Sequence, residues 1–269
     1  MCGCQLDMRS ASFLLNQTRA IRLSSMHCIR ELRELNGQDI ALVGGKAASL
    51  AEMMRANIPV PPGFVVLADA DLTCDEILSA FDRLNVSIVA VRSSATVEDA
   101  PDASWAGQFE TYLGVTRDGL VDAIQRCRDS AKSARVNAYR AEQGADNSTI
   151  AVAVIVQAMV DADAAGVCFT VHPVTKNPNH LIIEACLGLG DKLVGGEISP
   201  DSYIVDKLTE TIIDVQLSST AQVLSNDALR DLARLCKRIE DHYGFPCDVE
   251  WAHVEGSFSI LQSRPITTL

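Results

Sequence analysis

Three stretches of this 269-residue chain carry side chains whose type and setting imply chemistry. In the first, an apolar run from Val86 to Val91 reads as a buried strand and ends on Arg92. A guanidinium at the end of a buried strand needs an anionic partner, because an unpaired buried charge is very costly. Its planar fork fits a phosphate or a carboxylate. The small residues that follow, Ser93-Ser94-Ala95-Thr96, would let backbone N–H groups approach such an anion. The alternative is a structural turn in which Glu98 or Asp99 pairs with Arg92. In the second stretch, Gly44-Gly45-Lys46 opens a helix expected to run to about Arg55. Lysine is disfavoured at the positive end of a helix dipole. Either an anion held there compensates, or Lys46 is simply solvated.

The third stretch, residues 248–264, reads as a β-hairpin about Glu255-Gly256. A two-residue loop would set Glu250 opposite Leu261. A three-residue loop, Glu255 to Ser257, would set Glu250 opposite Gln262 and Asp248 opposite Arg264. This second register segregates the faces, with Glu250, Gln262 and Arg264 on one and Val249, Trp251 and Leu261 on the other. A carboxylate and an amide oxygen side by side suit a hard cation such as Mg2+, and Arg264 then suits the phosphate that such a cation bridges. A solvent-facing polar stripe on a half-exposed hairpin would have the same pattern.

These side chains need a scaffold, and from Met26 onward strand-like and helix-like segments alternate, which argues for layered α and β structure. The helix after Gly45 has Ala47, Leu50, Ala51 and Met54 on one face. Pro59, Pro61 and Pro62 forbid helix and lead rigidly into a strand at Phe64–Leu67. Thr73 and Thr116 are candidate helix caps. The first helix turns Ile77, Leu78, Phe81 and Leu84 inward; the second runs to about Gln143 on Leu120, Ile124, Cys127 and Ala131. Residues 144–148 form the clearest boundary, and Ile150–Met159 reads as a buried strand. A strand and turn at Gly166–Val174, a strand at Leu181–Ala185 and an amphipathic helix from Ser225 to Tyr243, closed by Gly244, complete the order. His172 reads as a polar turn residue rather than a nucleophile. Gly188, Gly190, Gly195 and Gly196 do not meet the spacing of a dinucleotide loop.

The balance of 23 basic and 35 acidic residues gives a net charge of −12, unsuited to nucleic acid or anionic membranes. A phosphate site must therefore be a local concentration of positive charge. Nine scattered cysteines, an odd number, suggest reduced thiols in a cytoplasmic protein rather than a disulfide framework. No run approaches the ~20 apolar residues of a membrane helix. Residues 1–25 lack the apolar segment of a secretory signal and are expected to be a disordered tail. Residues 26–146 and 147–269 are expected to be N- and C-terminal lobes.

Together the run GGKAASLAEM from Gly44, VRSSA from Val91, Glu98-Asp99, PDAS from Pro101, AGQFET from Ala106, GLGDKLVGGEISPD from Gly188 and ILQSRP from Ile260 resemble one family. It is the nucleotide-binding domain of the phosphoenolpyruvate synthase and pyruvate, phosphate dikinase family, which includes the rifampin phosphotransferases. The resemblance extends from about Met26 to Leu269. It implies an α+β, ATP-grasp-like fold, two lobes with ATP between them. By resemblance Lys46, Arg92 and Arg264 meet the ATP phosphates, the two arginines catalytically, and Glu250 and Gln262 hold Mg2+. The segment Gln157, Met159 and Val160 becomes the hinge whose backbone meets adenine. The loop from Ser104 to Thr111, with Gly107, closes over the phosphates. Relatives usually carry a longer helical segment before the VRSSA strand, so one lobe is abbreviated between Leu67 and Val86. Their phosphohistidine domain and pyruvate-binding barrel are not among these motifs. The implied activity is ATP-dependent phosphoryl transfer to a histidine on a separate partner chain or to a small-molecule acceptor, with no nucleic acid or membrane involved. A non-catalytic ATP-binding regulatory subunit is the alternative.

Overall fold

The structure is a computed structural model that describes residues 29–72, 75–95, 111–130, 152–267 and 269. The expected tail 1–25, the cap Thr73, Glu98, Asp99, Gly107 and the boundary at 144–148 lie outside the described residues. The order is β1 Ile29–Glu31, α1 Ile40–Val43, α2 Gly45–Arg55, β2 Gly63–Val66, α3 Asp75–Leu84, β3 Val89–Ala95, β4 Thr111–Val115 and α4 Leu120–Ser130. It continues with β5 Val152–Ala158, β6 Ala164–Phe169, β7 His180–Leu187, α5 Asp191–Val194, β8 Asp201–Asp206, β9 Ile212–Gln216, α6 Asn226–Tyr243, β10 Cys247–Val254 and β11 Ser257–Pro265.

The strands form two antiparallel sheets, ordered β1-β2-β5-β3-β4 and β11-β10-β6-β7-β8-β9. The strand β5, expected in the C-terminal lobe, is central in the first sheet, paired with β2 on one side and β3 on the other. The chain passes to the second sheet between Ala158 and Ala164.

Strand alternation distributes the first sheet between two cores. Phe64, Val66, Val89, Val91, Val154 and Val156 face α3 and α4, where Ile77, Phe81, Leu120, Ile124 and Cys127 are buried. Val65, Ala153 and Ile155 face the other way, into a core shared with α2, α6 and the second sheet through Leu50, Met53, Leu232, Trp251 and Tyr203. Met53 takes the buried place on α2 expected of Met54. The helix α6 is capped as read, with Ser225 Oγ accepting from Ala228 N–H and Gly244 left-handed at φ 73°. Thr116 makes no side-chain cap and instead precedes a short 3-10 turn.

Candidate active site

The hairpin β10–β11 turns on two residues, Glu255 (φ 48°) and Gly256 (φ 79°), with Val254 opposite Ser257. Left-handed backbone at both central positions is what a tight hairpin turn requires. The expected three-residue loop is therefore corrected, yet the expected pairing is present. The ladder shifts between Glu250 and Trp251, so Trp251 faces Ile260 while Glu250 faces Gln262 and Asp248 faces Arg264. Leu261 is the extra residue of a β-bulge, and Ile260 takes the core place expected of Leu261.

The bulge supplies a ligand for Arg92: its Nη1 donates to the Leu261 carbonyl at 2.7 Å. Nη2 donates to Glu250 Oε2 at 3.0 Å and to Gln262 Oε1 at 3.1 Å. The Arg92 side chain is 11% exposed, and its Nε is buried without a partner among the described residues. Arg92 is not at a strand end. β3 continues through Ser93, Ser94 and Ala95, which pair with Val154, Ala153 and Val152 of β5. Their backbone is thus in a ladder rather than an anion-cradling loop. Arg92 opposes Ile155, on the face turned toward the second sheet, and Thr111 lies across from it on β4.

Beside this cluster Arg264 binds Asp248 through Nε at 2.8 Å and Nη2 at 2.7 Å, both to Oδ2. The other oxygen, Oδ1, is buried and has no partner among the described residues. Burial pushes the Asp248 carboxyl up, Arg264 only partly reverses this, and Glu250 adds to it. Glu184 lies on the same face, reached from Glu250 across Val167. Burial and the charge of Asp248 push it up as well. Asp248 and Glu184 were missed as site residues. For Asp248 the hairpin register was the available signal; Glu184 needs the order of three strands, which no local pattern carries.

Lys46 stands in the first turn of α2, which is docked directly on β3. Gly44 precedes it at φ 81° and ψ 164°, and an added Cβ would lie 2.5 Å from Ser94 Oγ. Glycine cannot cap a helix with its side chain, and Ser94 Oγ accepts the Ala47 N–H at 3.1 Å instead. The GGK and VRSSA stretches therefore meet. The residues expected to form the hinge lie further along the chain, in β5 and just after it. Gln157 is buried and its Nε2 donates to the Pro61 carbonyl at 3.2 Å. Met159 N donates to the Ile88 carbonyl, and Met159 Sδ accepts from Gly114 N–H at 3.1 Å. Val160 follows, half-buried. A cavity of about 540 Å3 runs along β4, with Thr111, Gly114, Thr116, Arg126 and Asp191 in its wall.

The donor set suits magnesium. Glu250 and Gln262 converge their oxygens on one cationic nitrogen, and an orphaned carboxylate oxygen lies on the neighbouring pair. Among the described residues no three carboxylate, histidine or cysteine side chains form a metal cage. Magnesium is commonly held by one or two carboxylates with substrate phosphates completing its shell.

Comparison with known proteins bears on the family and the fold. The chain is 38% identical to a probable phosphoenolpyruvate synthase of Methanocaldococcus jannaschii, over 91% of this chain and 27% of that protein. It is 33% identical to the phosphoenolpyruvate synthase of Pyrococcus furiosus, over 90% of this chain and 44% of that one. It thus spans less than half the length of these relatives. The first alignment covers 321 positions against 269 residues here, so the relative carries segments that this chain lacks. Among solved structures, the dinucleotide forming acetyl-coenzyme A synthetase 1 of Ca. Korarchaeum cryptofilum, in complex with coenzyme A and Ca-AMPCP, covers 93% of this chain and 98% of its own. The TM-score is 0.50 at 10% identity, a likeness of fold. The fold is α+β and ATP-grasp-like. Residues 40–74, 71–223 and 214–269 match the pyruvate phosphate dikinase AMP/ATP-binding domain, and the chain belongs to that family.

Proposed function

We propose that the chain is the nucleotide-binding module of an ATP-dependent phosphotransferase of the phosphoenolpyruvate synthase type. It holds Mg-ATP between the two sheets and presents the terminal phosphoryl group to an acceptor. That acceptor is a histidine on a separate domain or partner chain, or a small molecule. One observation carries this reading. Residues from both sheets meet at a spot where, among the described residues, a cationic donor, Arg92 Nε, and close by a carboxylate oxygen, Asp248 Oδ1, have no partner. A magnesium-bound phosphate group satisfies both kinds.

Within this reading Arg92 and Arg264 bind phosphate oxygens and Lys46 adds a third positive charge. The Leu261 carbonyl fixes the plane of the Arg92 guanidinium before any ligand arrives, so less orientation must be lost on binding. Glu250 and Gln262 would hold Mg2+, which when bound neutralises charge developing on the phosphates. Asp248 holds Arg264 in line with them. The cavity along β4, with Thr111 in its wall, and the segment Gln157 to Val160 take the nucleoside. Among the described residues the buried thiols Cys168, Cys186, Cys236 and Cys247 stand outside any disulfide, which supports a reducing, cytoplasmic setting.

Calorimetry tests the site. Mg-ATP should bind the wild type, and Lys46→Ala and Arg92→Ala should each weaken it by roughly tenfold or more. Equal affinity in all three proteins would sink the assignment. ATP consumption should be slow alone and rise when the acceptor is supplied, since in-line transfer needs an acceptor held in contact. Glu250→Gln should lower the stimulated rate by roughly 10- to 100-fold. ATP binding without turnover on any acceptor would instead mark a regulatory subunit.

A further inference from the structure

The helix that carries Lys46 is tied to both sheets by serine hydroxyls. Toward the first sheet the tie is Ser94, described above. Toward the second, Ser49 Oγ donates to the Ser263 carbonyl at 3.0 Å. The Tyr243 hydroxyl donates into Ser49, 3.0 Å from its Oγ and 3.2 Å from its carbonyl oxygen. Ser49 lies one turn after Lys46, on the same side of α2. Ser263 lies between Gln262 and Arg264 on β11, the edge strand of its sheet. Tyr243 is the last residue of α6 and stacks on Phe245 with ring centres 5.3 Å apart. Burial pushes its phenol up to about 12, so it is a neutral donor at physiological pH.

A serine inside a helix is ordinarily a small liability, because its hydroxyl competes for the local backbone. Here the hydroxyl leaves its own helix and reaches the strand that holds two of the site residues. We infer that Ser49 is a positioning residue: through the Ser263 carbonyl it fixes α2 against β11, and so sets where Lys46 stands relative to Gln262 and Arg264. This rests on the reading that Lys46 and Arg264 serve one nucleotide.

A double-mutant cycle separates this role from mere packing. Mg-ATP affinity is measured by calorimetry for wild type, Ser49→Ala, Lys46→Ala and the double variant, with thermal melts of each. Ser49→Ala should weaken binding by roughly three- to tenfold in the wild-type background. It should change affinity by less than about twofold once Lys46 is gone, because the group it positions is absent. Ser49→Thr, which keeps the hydroxyl, should restore most of the affinity. If Ser49→Ala does not fold, Tyr243→Phe keeps the ring packing while removing the proton donated into Ser49. It should give the same pattern with a smaller, roughly twofold, effect. Unchanged affinity in Ser49→Ala, or the same fold loss in both backgrounds, overturns the inference alone. A Lys46→Ala variant that binds Mg-ATP as tightly as wild type overturns the nucleotide assignment of Lys46, and the inference with it.

Discussion

Asp201 begins β8 and is fully buried. Burial alone would push its carboxyl up. Against this, Ser218 N–H at 2.7 Å, Val223 N–H at 2.9 Å, Ser218 Oγ at 2.8 Å and the Tyr203 hydroxyl at 2.9 Å all donate to it. These bonds win and hold it below the usual carboxylate value. A depressed carboxylate stabilises the fold above its unfolded pKa, and that contribution is lost as pH falls through the folded value. Asp201→Asn should therefore cost about 2–3 kcal/mol at pH 7, because its NH2 would face donors. The gap from wild type should narrow below about pH 4. Urea unfolding at pH 7 and pH 3 reads this directly, and an equal gap at both would exclude the carboxylate as its source. Interactions of this reach are poorly legible in a sequence. His172 was legible as a turn residue because its Nδ1 accepts from Val174 N–H and Thr175 N–H, two and three residues away. Arg92 was legible as a buried cation needing a partner. The partners observed are Glu250 and Gln262, however, while the local candidates considered were Glu98 and Asp99.

The hairpin raises the same question at the scale of an element. Its two strands had to bring Glu250 opposite Gln262, and the number of residues between them leaves one to be absorbed. The expectation placed it in the turn. Glu255-Gly256 suits a two-residue turn too well for that, and the surplus is displaced into the strand at Leu261. Face segregation was thus readable and the position of the defect was not, since a bulge and a longer loop give the same downstream pattern. Deleting Leu261 is an informative experiment for this reason. Ile260 and Gln262 would become consecutive, so Trp251 would still face Ile260 and Glu250 would still face Gln262. The carbonyl that anchors Arg92 would go, together with the half-buried Leu261 side chain. The shortened protein should fold, lose about 1.5–3 kcal/mol of stability, and bind Mg-ATP more weakly than wild type. Unaltered nucleotide affinity in a folded deletion variant would show that the Leu261 carbonyl has no part in orienting Arg92.

At the scale of the whole molecule, the family resemblance carried the fold, and the composition bounded the class. The match to the family restarts at residues 71–74, within the interval where the sequence had indicated an abbreviated lobe. The order of strands was beyond reach, because β5 has the same apolar alternation whichever sheet it joins. Its actual place has a consequence for how the chain is made. In the first sheet β2 and β3 do not touch each other; each touches β5, which follows them by some sixty to ninety residues in the sequence. During synthesis β1–β2 and β3–β4 must wait as separate pairs, their inner edges open, until the middle strand emerges. Such non-local pairing slows folding and leaves apolar edges available to other chains. A fragment ending before Val152 should accordingly remain sensitive to protease under conditions in which the full chain resists, although it contains four of the five strands of its sheet. The first sheet is thus a structure that the ribosome finishes from the inside, with its keystone delivered last.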